Sequence, residues 1–484
     1  MDKFNRDSRK RDVISTPLLL TVLACLTSAV LSLIAVQKPI VLGILIFAVV
    51  GAYCLHNYFK VTVVGLLVIR SSLDVFSDIG VPTLFGAGII LLGIGYVTLS
   101  FLTKREVNTD KLWWFLIIWV FVQGLWVVLL LTDSLGGNPS QIGNSITQWL
   151  KMFSWAVVYL LIMQLKNRTH PKQLINLLMF SLVAPLSAAT LQLVLPPSVL
   201  PEYLVFSSGN EVIEAGSRLN GTMGHPNSLA YFCMLFLGVT LWKLETDNKK
   251  LPWIILAFTL AFFLVSTKSL GGLAMLLTFT FFYVATRLNI QSLISAPLLV
   301  GLVSFLFLRS DFGRDRLASL YETPLLNPDL DLSRTLLLAW GDGNSFNWRI
   351  AQWTYLIDSW KEFPILGYGL GTIRQVSVFG NYAHNDYIGY LVEGGIIGLI
   401  LFLLFLGAQF TWLIRVLLRD PYDSTPEQRS FCTILIAFLM GLAVAMLAAN
   451  VFTTQTTLCF YWFLFLAISN WNWSKDIDLS YSEC

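Results

Sequence analysis

Apolar runs of about 20 residues recur along almost the whole chain, and each is long enough to cross the hydrocarbon core of a bilayer as a helix. The pattern predicts an all-α fold, a polytopic bundle of about 12–14 transmembrane helices. Two of the runs, 61–79 and 251–267, are the weakest, so a broken or tilted helix is expected there. The runs lie approximately at 17–36, 38–57, 61–79, 83–103, 112–131, 144–165, 173–195, 227–244, 251–267, 270–288, 291–308, 386–414, 430–450 and 454–470.

Charged residues are too few for a water-soluble protein of this length. They make up 13% of the 484 residues, against about a quarter in typical soluble domains. Most of the outer surface is therefore expected to face membrane lipids. The formal net charge of +3 gives no basis for a nucleic-acid partner. The six cysteines include no CxxC pair, so neither a disulfide framework nor a metal site is indicated.

Basic residues mark one side of the predicted bundle. When the chain is threaded through the apolar runs, every basic cluster falls on the same side, which the positive-inside rule makes cytoplasmic. Both chain ends then lie in the cytoplasm, and the first run is interpreted as an uncleaved helix. The opposite side, the periplasm or cell exterior, receives two long loops, 196–226 and 309–385. The basic clusters lie at 3–11, 104–111, 166–172, 243–250, 287 and 415–429.

These loops divide the chain into three predicted parts. Residues 1–308 form N-terminal transmembrane helices and include the outer loop 196–226. Residues 309–385 form a large outer loop that contains amphipathic helices. Residues 386–484 form C-terminal transmembrane helices and a short cytoplasmic tail. Polar loops on a membrane-embedded scaffold are where binding and catalysis concentrate, so function is expected at the outer face.

The first outer loop ends in a turn-rich entry into a helix. Gly221 and Gly224 favour a turn, and Asn227 or Ser228 is the expected N-cap. Free N–H groups at a helix N-terminus and the guanidinium of Arg218 both favour phosphate, so this segment is a candidate anion site. An ordinary capped helix, with Arg218 at the level of the lipid headgroups, accounts for the same residues.

The second outer loop combines helical periodicity with a glycine-rich turn. The turn covers 364–371, and its Gly-x-Gly is not interpreted as a nucleotide site because no phosphate-binding helix follows it. An amphipathic helix along the membrane surface is predicted from residues that recur at helical spacing, namely Arg349, Trp353, Leu356, Ile357 and Trp360.

Two of the four histidines, His225 and His384, lie in the two outer loops. His384 stands at the mouth of a strongly apolar helix, where a histidine exchanges a proton near neutral pH. A polar capping residue at the membrane interface is the alternative for that position.

Several charged residues fall inside the predicted spans. Glu393 lies about two turns into its helix, where a carboxylate is costly without a partner. Its neighbours Gly394 and Gly395 would let another segment approach closely. Arg70 and Asp74 are spaced to form an i, i+4 ion pair. For these residues a structural pairing and a functional role both remain open.

Three blocks resemble the bacterial O-antigen ligase and polymerase superfamily of membrane glycosyltransferases. The first comprises Arg349 and Trp353, then FPILGYGLGT, then His384-Asn385 and LVEGGIIGL. The second is RLNGTMGHPN from Arg218, close to the family pattern Arg-x-x-Gly-x-x-x-x-Pro-Asn. The third is STKSLGG, in which Leu270 stands where the family often has arginine and Lys268 lies two residues earlier.

The resemblance implies an inverting, metal-independent glycosyltransferase that needs no cofactor. It would move a glycan from an undecaprenyl-diphosphate carrier to a lipid or glycan acceptor on the periplasmic face of the bacterial inner membrane, in contact with membrane lipids. Arg218 and Arg349 would hold the diphosphate, and His384 would act on the acceptor hydroxyl as general base or as a positioning group. The residues expected to bind substrate are Asn385, His225, Asn227 and Lys268.

Ligation to a lipid core, polymerisation of repeat units and protein glycosylation remain open, because no motif specifies the acceptor. A polytopic solute or ion transporter is the alternative from another class, since intramembrane charges would suit one. Transporters commonly contain internal repeats. No convincing repeat relates the two halves of this chain, and its polar residues concentrate in the outer loops.

Overall fold

The computed structural model describes residues 59–132, 134–206, 218–286, 345–419 and 423–474, together with isolated positions at 51, 301, 305, 308, 309, 313, 314 and 318. Apart from those positions, the predicted spans 17–36, 38–57 and 291–308 and the first part of the large outer loop lie outside the described residues. The division of the chain into three parts stays a prediction.

The described residues form an all-helical structure without strands. The helices are α1 Phe59–Arg70, α2 Val81–Leu102, α3 Lys111–Leu129, α4 Ile142–Met163, α5 Pro171–Leu178, α6 Val183–Val194, α7 Pro226–Thr246, α8 Leu251–Ser266, α9 Leu270–Ala285, α10 Ser345–Trp360, α11 Ile373–Val376, α12 Asp386–Leu417, α13 Pro426–Ala445, α14 Val451–Thr454 and α15 Thr456–Ser469.

Seven stretches among the described residues are long and apolar enough to cross a membrane. They contain α2, α3, α4, the α5–α6 pair, α7, α12 and α13, and the apolar helices α8, α9 and α15 are shorter. Each coincides with a predicted apolar run. The predicted polytopic helical bundle is therefore confirmed, while the count of 12–14 spans for the whole chain stays a prediction.

The weak run 61–79 is broken, as the sequence suggested. α1 ends at Arg70, and the chain continues through a 3-10 segment at Asp74–Phe76. The hydroxyls of Ser71 and Ser72 donate to carbonyls three residues earlier, which gives the backbone an alternative to further helical turns. The other weak run, 251–267, forms the single unbroken helix α8.

The core of the bundle surrounds α7 and α15, which are buried along most of their lengths. α8 packs on α7, α15 packs on α4, and α9 packs on α13. Aromatic rings fill these contacts: the indole of Trp155 stacks on Phe463, and Phe236 lies edge-on to Tyr461. α2 and α3 instead expose large apolar side chains, as lipid-facing helices do.

The two ends of the bundle differ in their polar residues. Four basic clusters meet at one end: Arg105 and Arg168 line a common pocket, and Lys172 Nζ lies 2.6 Å from Glu427 of α13. Lys243 is within electrostatic range of Lys172 and Glu427. The starts of α7, α9 and α12 lie at the opposite end, which also holds Arg70 and Asp74. We call this opposite end the site end.

α12 is broken near the site end. Gly395 has φ 64° and ψ −164°, values outside the helical region. The glycine-rich turn after α10 docks into this break, where the N–H of Gly369 donates to the carbonyl of Glu393 (2.8 Å) and the N–H of Ile396 to that of Pro364 (2.9 Å). The close approach expected beside Gly394 and Gly395 is thus confirmed, and the approaching segment is the turn 364–372.

Candidate functional site

The site end gathers the residues that the sequence singled out. His225 lies within electrostatic range of Arg218, His384 and Arg349, which come from three separate segments of the chain. Tertiary folding therefore brings two arginines and two histidines together, although Arg218 and His384 are far apart in the sequence.

Arg218 is held between the start of α7 and the turn that precedes α9. Its Nε donates to the carbonyl of Thr267 (3.1 Å), and its guanidinium also donates to Oδ1 of Asn227 (3.4 Å). The same Oδ1 accepts a hydrogen bond from the hydroxyl of Ser269 (2.8 Å). Asn227 thus joins the second and third sequence blocks and orients the arginine.

Hydrogen bonds to Gln192 of α6 hold the loop that carries Arg218. The side-chain carbonyl of Gln192 accepts from the N–H groups of Asn220 (3.2 Å) and Gly221 (2.9 Å). Gly221 has φ 53°, and a Cβ there would approach the carbonyl of Pro185 more closely than real Cβ atoms do. Glycine is therefore required for the loop to lie against α6.

His225, and neither Asn227 nor Ser228, is the N-cap of α7. Its Nδ1 accepts from the N–H of Asn227 (3.1 Å), and α7 begins at Pro226. The predicted cap was wrong because Pro226 takes the first helical position, which proline favours, and the residue before it supplies the cap. Burial, and then the charge of Arg218, lower the pKa of His225 from 6.5 to about 3.

His384 has a left-handed backbone, with φ 52°, which is uncommon for a residue other than glycine. Burial, followed by the charge of Arg349, lowers its pKa from 6.5 to about 4. The imidazole is therefore neutral at neutral pH and has a nitrogen able to accept a hydrogen bond or a proton. Such backbone strain persists only where the surroundings enforce it.

The two residues after His384 fasten this segment to the loop between α13 and α15. Asp386 is fully buried, and its carboxylate accepts from the N–H groups of Val451 (2.6 Å) and Phe452 (2.9 Å). Asn385 caps α12 by accepting from the N–H of Ile388 (3.1 Å), and its amide donates to the carbonyl of Leu447 (3.0 Å). Both polar ends of the Asn385 amide thus contact protein, and its predicted role in substrate binding stays a prediction.

α10 carries Arg349 to the site. On the same helix, the side-chain amide of Gln352 donates to the carbonyl of Tyr382 (2.8 Å), and the indole of Trp353 donates to the carbonyl of Ala383 (2.6 Å). These bonds fix α10 beside the segment that leads to His384, and Arg349 lies within electrostatic range of that histidine. The predicted helix is confirmed, and its Ile357 is exposed.

Lys268 lies in the turn between α8 and α9, next to Thr267, whose carbonyl accepts from Arg218. Its backbone is also left-handed, with φ 52°. The structure therefore brings Lys268 into the same cluster as Arg218, and its predicted role stays a prediction.

Glu393 has the partner that a buried carboxylate needs. Its Oε1 accepts from the N–H of Ile373 (3.0 Å) at the start of α11, and the residue is buried. The carboxylate thereby ties the broken helix α12 to the turn beside it. Of the two roles left open for Glu393, this contact supports the structural one. Arg70 and Asp74 also form their predicted pair (2.7 Å), at the end of α1.

The sequence did not single out Trp348, Asp386, Gln192 or Tyr231, all of which contact or surround the cluster. Asp386 follows His384-Asn385 directly, so its position was a signal that could have been used. Trp348 and Gln192 have no such signal, because their partners are far away in the sequence. Among the described residues, no group of three or more His, Cys, Asp or Glu side chains is arranged to hold a metal ion.

A comparison with protein-family models matches residues 253–403 to the family described as O-antigen ligase. This region is similar to that family. The matched region runs from α8 to the middle of α12 and supports the superfamily that the three blocks resemble. A search of curated proteins found no match.

The matched region contains four of the seven candidate residues: Lys268, Arg349, His384 and Asn385. The other three, Arg218, His225 and Asn227, lie before its first residue. Because Asn227 contacts Ser269 and Arg218 contacts Thr267, the segment before the matched region completes the cluster.

Proposed function

We propose that this protein is a glycosyltransferase that moves a glycan from an undecaprenyl-diphosphate carrier to an acceptor hydroxyl on the periplasmic face of the bacterial inner membrane. The observation that carries the proposal is the cluster of Arg218, Arg349, His225 and His384 at the site end, in and beside the region that matches the O-antigen ligase family. The basic clusters at the other end of the bundle support a cytoplasmic location for that end.

The two arginines are suited to the diphosphate of the carrier. A guanidinium keeps its charge at all relevant pH values and donates two parallel hydrogen bonds to phosphate oxygens. The negative charge that develops when the diphosphate leaves would be stabilised by Arg218 and Arg349, so the reaction needs no metal ion or other cofactor. Electrostatic stabilisation of this kind is commonly the largest single contribution to catalysis.

His384 is suited to the acceptor. As a neutral imidazole it accepts the hydroxyl proton or a hydrogen bond from it, either as general base or as a positioning group. The hydroxyl oxygen attacks the anomeric carbon from the face opposite to the diphosphate. The new C–O bond forms as the bond to the diphosphate breaks, the diphosphate keeps that electron pair, and the anomeric configuration inverts.

Transfer should be measured with the purified full-length protein in lipid and undecaprenyl-diphosphate-linked oligosaccharide from its own host. We expect release of the diphosphate carrier and no release with Arg349→Ala or His384→Ala, although both variants insert normally. Wild-type turnover by either variant would contradict the assigned roles. Activity that persists in EDTA supports metal independence, and the anomeric signal of the product reports inversion.

The same assay separates the possible acceptors. Ladder-like growth of glycan on the lipid carrier indicates a polymerase, whereas a single transfer to an added lipid or protein acceptor indicates a ligase or a protein glycosyltransferase. If neither the wild type nor the variants release carrier with any of these acceptors, the glycosyltransferase proposal fails and a solute transporter becomes the preferred function.

A further inference from the structure

The hydroxyl of Tyr231 is a buried polar group near the cluster. Tyr231 lies on α7, its side chain is fully buried, and its hydroxyl has no hydrogen-bond partner among the described residues. A buried donor without a partner destabilises the folded protein. Phenylalanine would fill the same space without that cost, so packing alone does not explain a tyrosine at this position.

The hydroxyl points at the first turn of α9. A Cβ added at Gly271 would lie closer than 3.0 Å to the hydroxyl oxygen, a separation that real Cβ atoms do not adopt. Glycine at this position therefore makes room for the hydroxyl. Since Tyr231 follows Asn227 by four residues, the two side chains share one face of α7, and Asn227 in turn contacts Ser269 at the N-cap of α9.

The first turn of α9 presents backbone N–H groups. Ser269 accepts from the N–H of Gly272 (3.0 Å), but the first two N–H groups of an α-helix, here those of Leu270 and Gly271, have no acceptor within the helix. A helix of 16 residues also carries a partial positive charge at this end. Both properties favour an anion.

Two arginines lie near the Tyr231 hydroxyl. Arg218 donates to the carbonyl of Thr267, which lies two residues before Ser269, the N-cap of α9. Tyr231 lies within electrostatic range of Arg218 and Arg349, and also of the carboxylate of Asp386. The hydroxyl, the helix N-terminus and Arg218 thus lie close together.

We propose that the hydroxyl of Tyr231 and the first-turn N–H groups of α9 form, together with Arg218, a subsite for one phosphate group of the lipid-linked donor. Tyr231 donates a hydrogen bond to a phosphate oxygen, and the glycine at 271 is needed for the hydroxyl to reach it. This inference rests on the proposed function, because it assigns protein groups to the diphosphate of that donor.

Binding of undecaprenyl diphosphate to the full-length protein in lipid nanodiscs tests the subsite, with undecaprenol as the phosphate-free comparison. We expect Tyr231→Phe to weaken binding of the diphosphate about tenfold or more, the scale of a hydrogen bond to a charged group. The KM for the glycosylated donor should rise correspondingly. The thermal midpoint should stay the same or rise, because the variant removes a hydroxyl that no protein group bonds.

Tyr283→Phe is the matched control. Tyr283 lies at the other end of α9, where its hydroxyl donates to Glu245, so its loss should leave undecaprenyl diphosphate binding unchanged. A Tyr231→Phe variant that binds the diphosphate as tightly as the wild type overturns the subsite alone, provided that the wild type binds and transfers. A wild type that binds undecaprenyl diphosphate no better than undecaprenol overturns both the subsite and the proposed function.

Gly271→Ala tests the geometry without substrate. Its methyl group would collide with the Tyr231 hydroxyl, so the thermal midpoint should fall in the wild-type background and recover in the Tyr231→Phe background. Equal effects of Gly271→Ala in the two backgrounds would contradict the contact on which the subsite depends.

Discussion

The indole ring of Trp348 lies edge-on to the imidazole of His384, with the ring centroids 5.2 Å apart. The same indole contacts Phe379, so it closes the space between α10 and the segment that carries His384. Arg349 follows Trp348 directly in the sequence. One turn of α10 therefore supplies both a charge that acts on His384 and a ring that limits its orientations.

We expect Trp348→Ala to lower the kcat of glycan transfer by about tenfold or more, since misplacing a reacting group by about 1 Å costs on the order of a hundredfold. Trp348→Phe keeps an aromatic edge and should retain most of the activity. Steady-state kinetics with the lipid-linked donor tests both variants. Equal activities for the alanine and phenylalanine variants would mean that the ring does not position His384.

The pH dependence of transfer should follow the neutral form of His384. Because burial and Arg349 lower its pKa to about 4, the rate should rise as the pH increases through about 4 and be level near neutral pH. Histidine titration by NMR should place the pKa of His384 nearer its ordinary value of 6.5 in Arg349→Gln, since a nearby positive charge is removed. An unchanged pKa in that variant would argue against the proximity of the two residues.

Folding stability should depend on the same group, with the sign set by its lowered pKa. The unfolded chain takes up a proton on His384 near pH 6.5, whereas the folded chain does so only near pH 4. The contribution is therefore complete above pH 6.5 and is lost as the pH falls toward 4. Thermal midpoints of the wild type and of His384→Gln should be measured across this pH range. The midpoint of the wild type should fall more on acidification than that of the variant.

Asp386→Asn should destabilise the protein by about 1–3 kcal/mol and impair transfer. The buried carboxylate accepts from two backbone N–H groups and from the hydroxyl of Thr453, and an amide has only one acceptor oxygen. Asp358→Asn is the control, because Asp358 is half exposed and pairs with Lys361 on the protein surface. Thermal midpoints in lipid compare the two variants, and equal midpoints would contradict a stabilising role for the Asp386 contacts.

Gly395→Ala should be more damaging than an alanine elsewhere on α12. A Cβ at Gly395 would collide with the carbonyl of Ile365, and φ is positive, so a loss of at least about 2 kcal/mol is expected. Gly407→Ala meets nothing within 4 Å and should be neutral or stabilising by up to about 1 kcal/mol. Thermal unfolding of both variants compares them, and a neutral Gly395→Ala would disprove the tight docking of the turn.

The orientation of the bundle predicts which positions an impermeant thiol reagent reaches in intact cells. In a background without reactive native cysteines, Asn381→Cys at the site end should be labelled and Lys249→Cys at the basic end should not. Both residues are exposed, so burial does not limit the reaction. The reverse labelling pattern would place the site end in the cytoplasm and contradict the proposed topology.

The sequence by itself determined the helical class, because lipid-spanning segments must satisfy their own backbone hydrogen bonds and so appear as long apolar runs. It also indicated Arg218, Arg349 and His384, whose residue types and order resemble a family pattern. It placed the cap of α7 two or three residues too late, since proline at the first helical position moves the cap to His225. It also could not choose between structural and functional roles for Glu393.

Only the tertiary structure decided which of these residues meet. Asn227 contacts Ser269, Asp386 contacts Val451, and Trp348 contacts His384, each across a long stretch of chain. Periodicity and local motifs report the environment of neighbouring residues along one element. The contacts that build the site form between elements, and they depend on how the helices pack and where the turn 364–372 enters the break in α12.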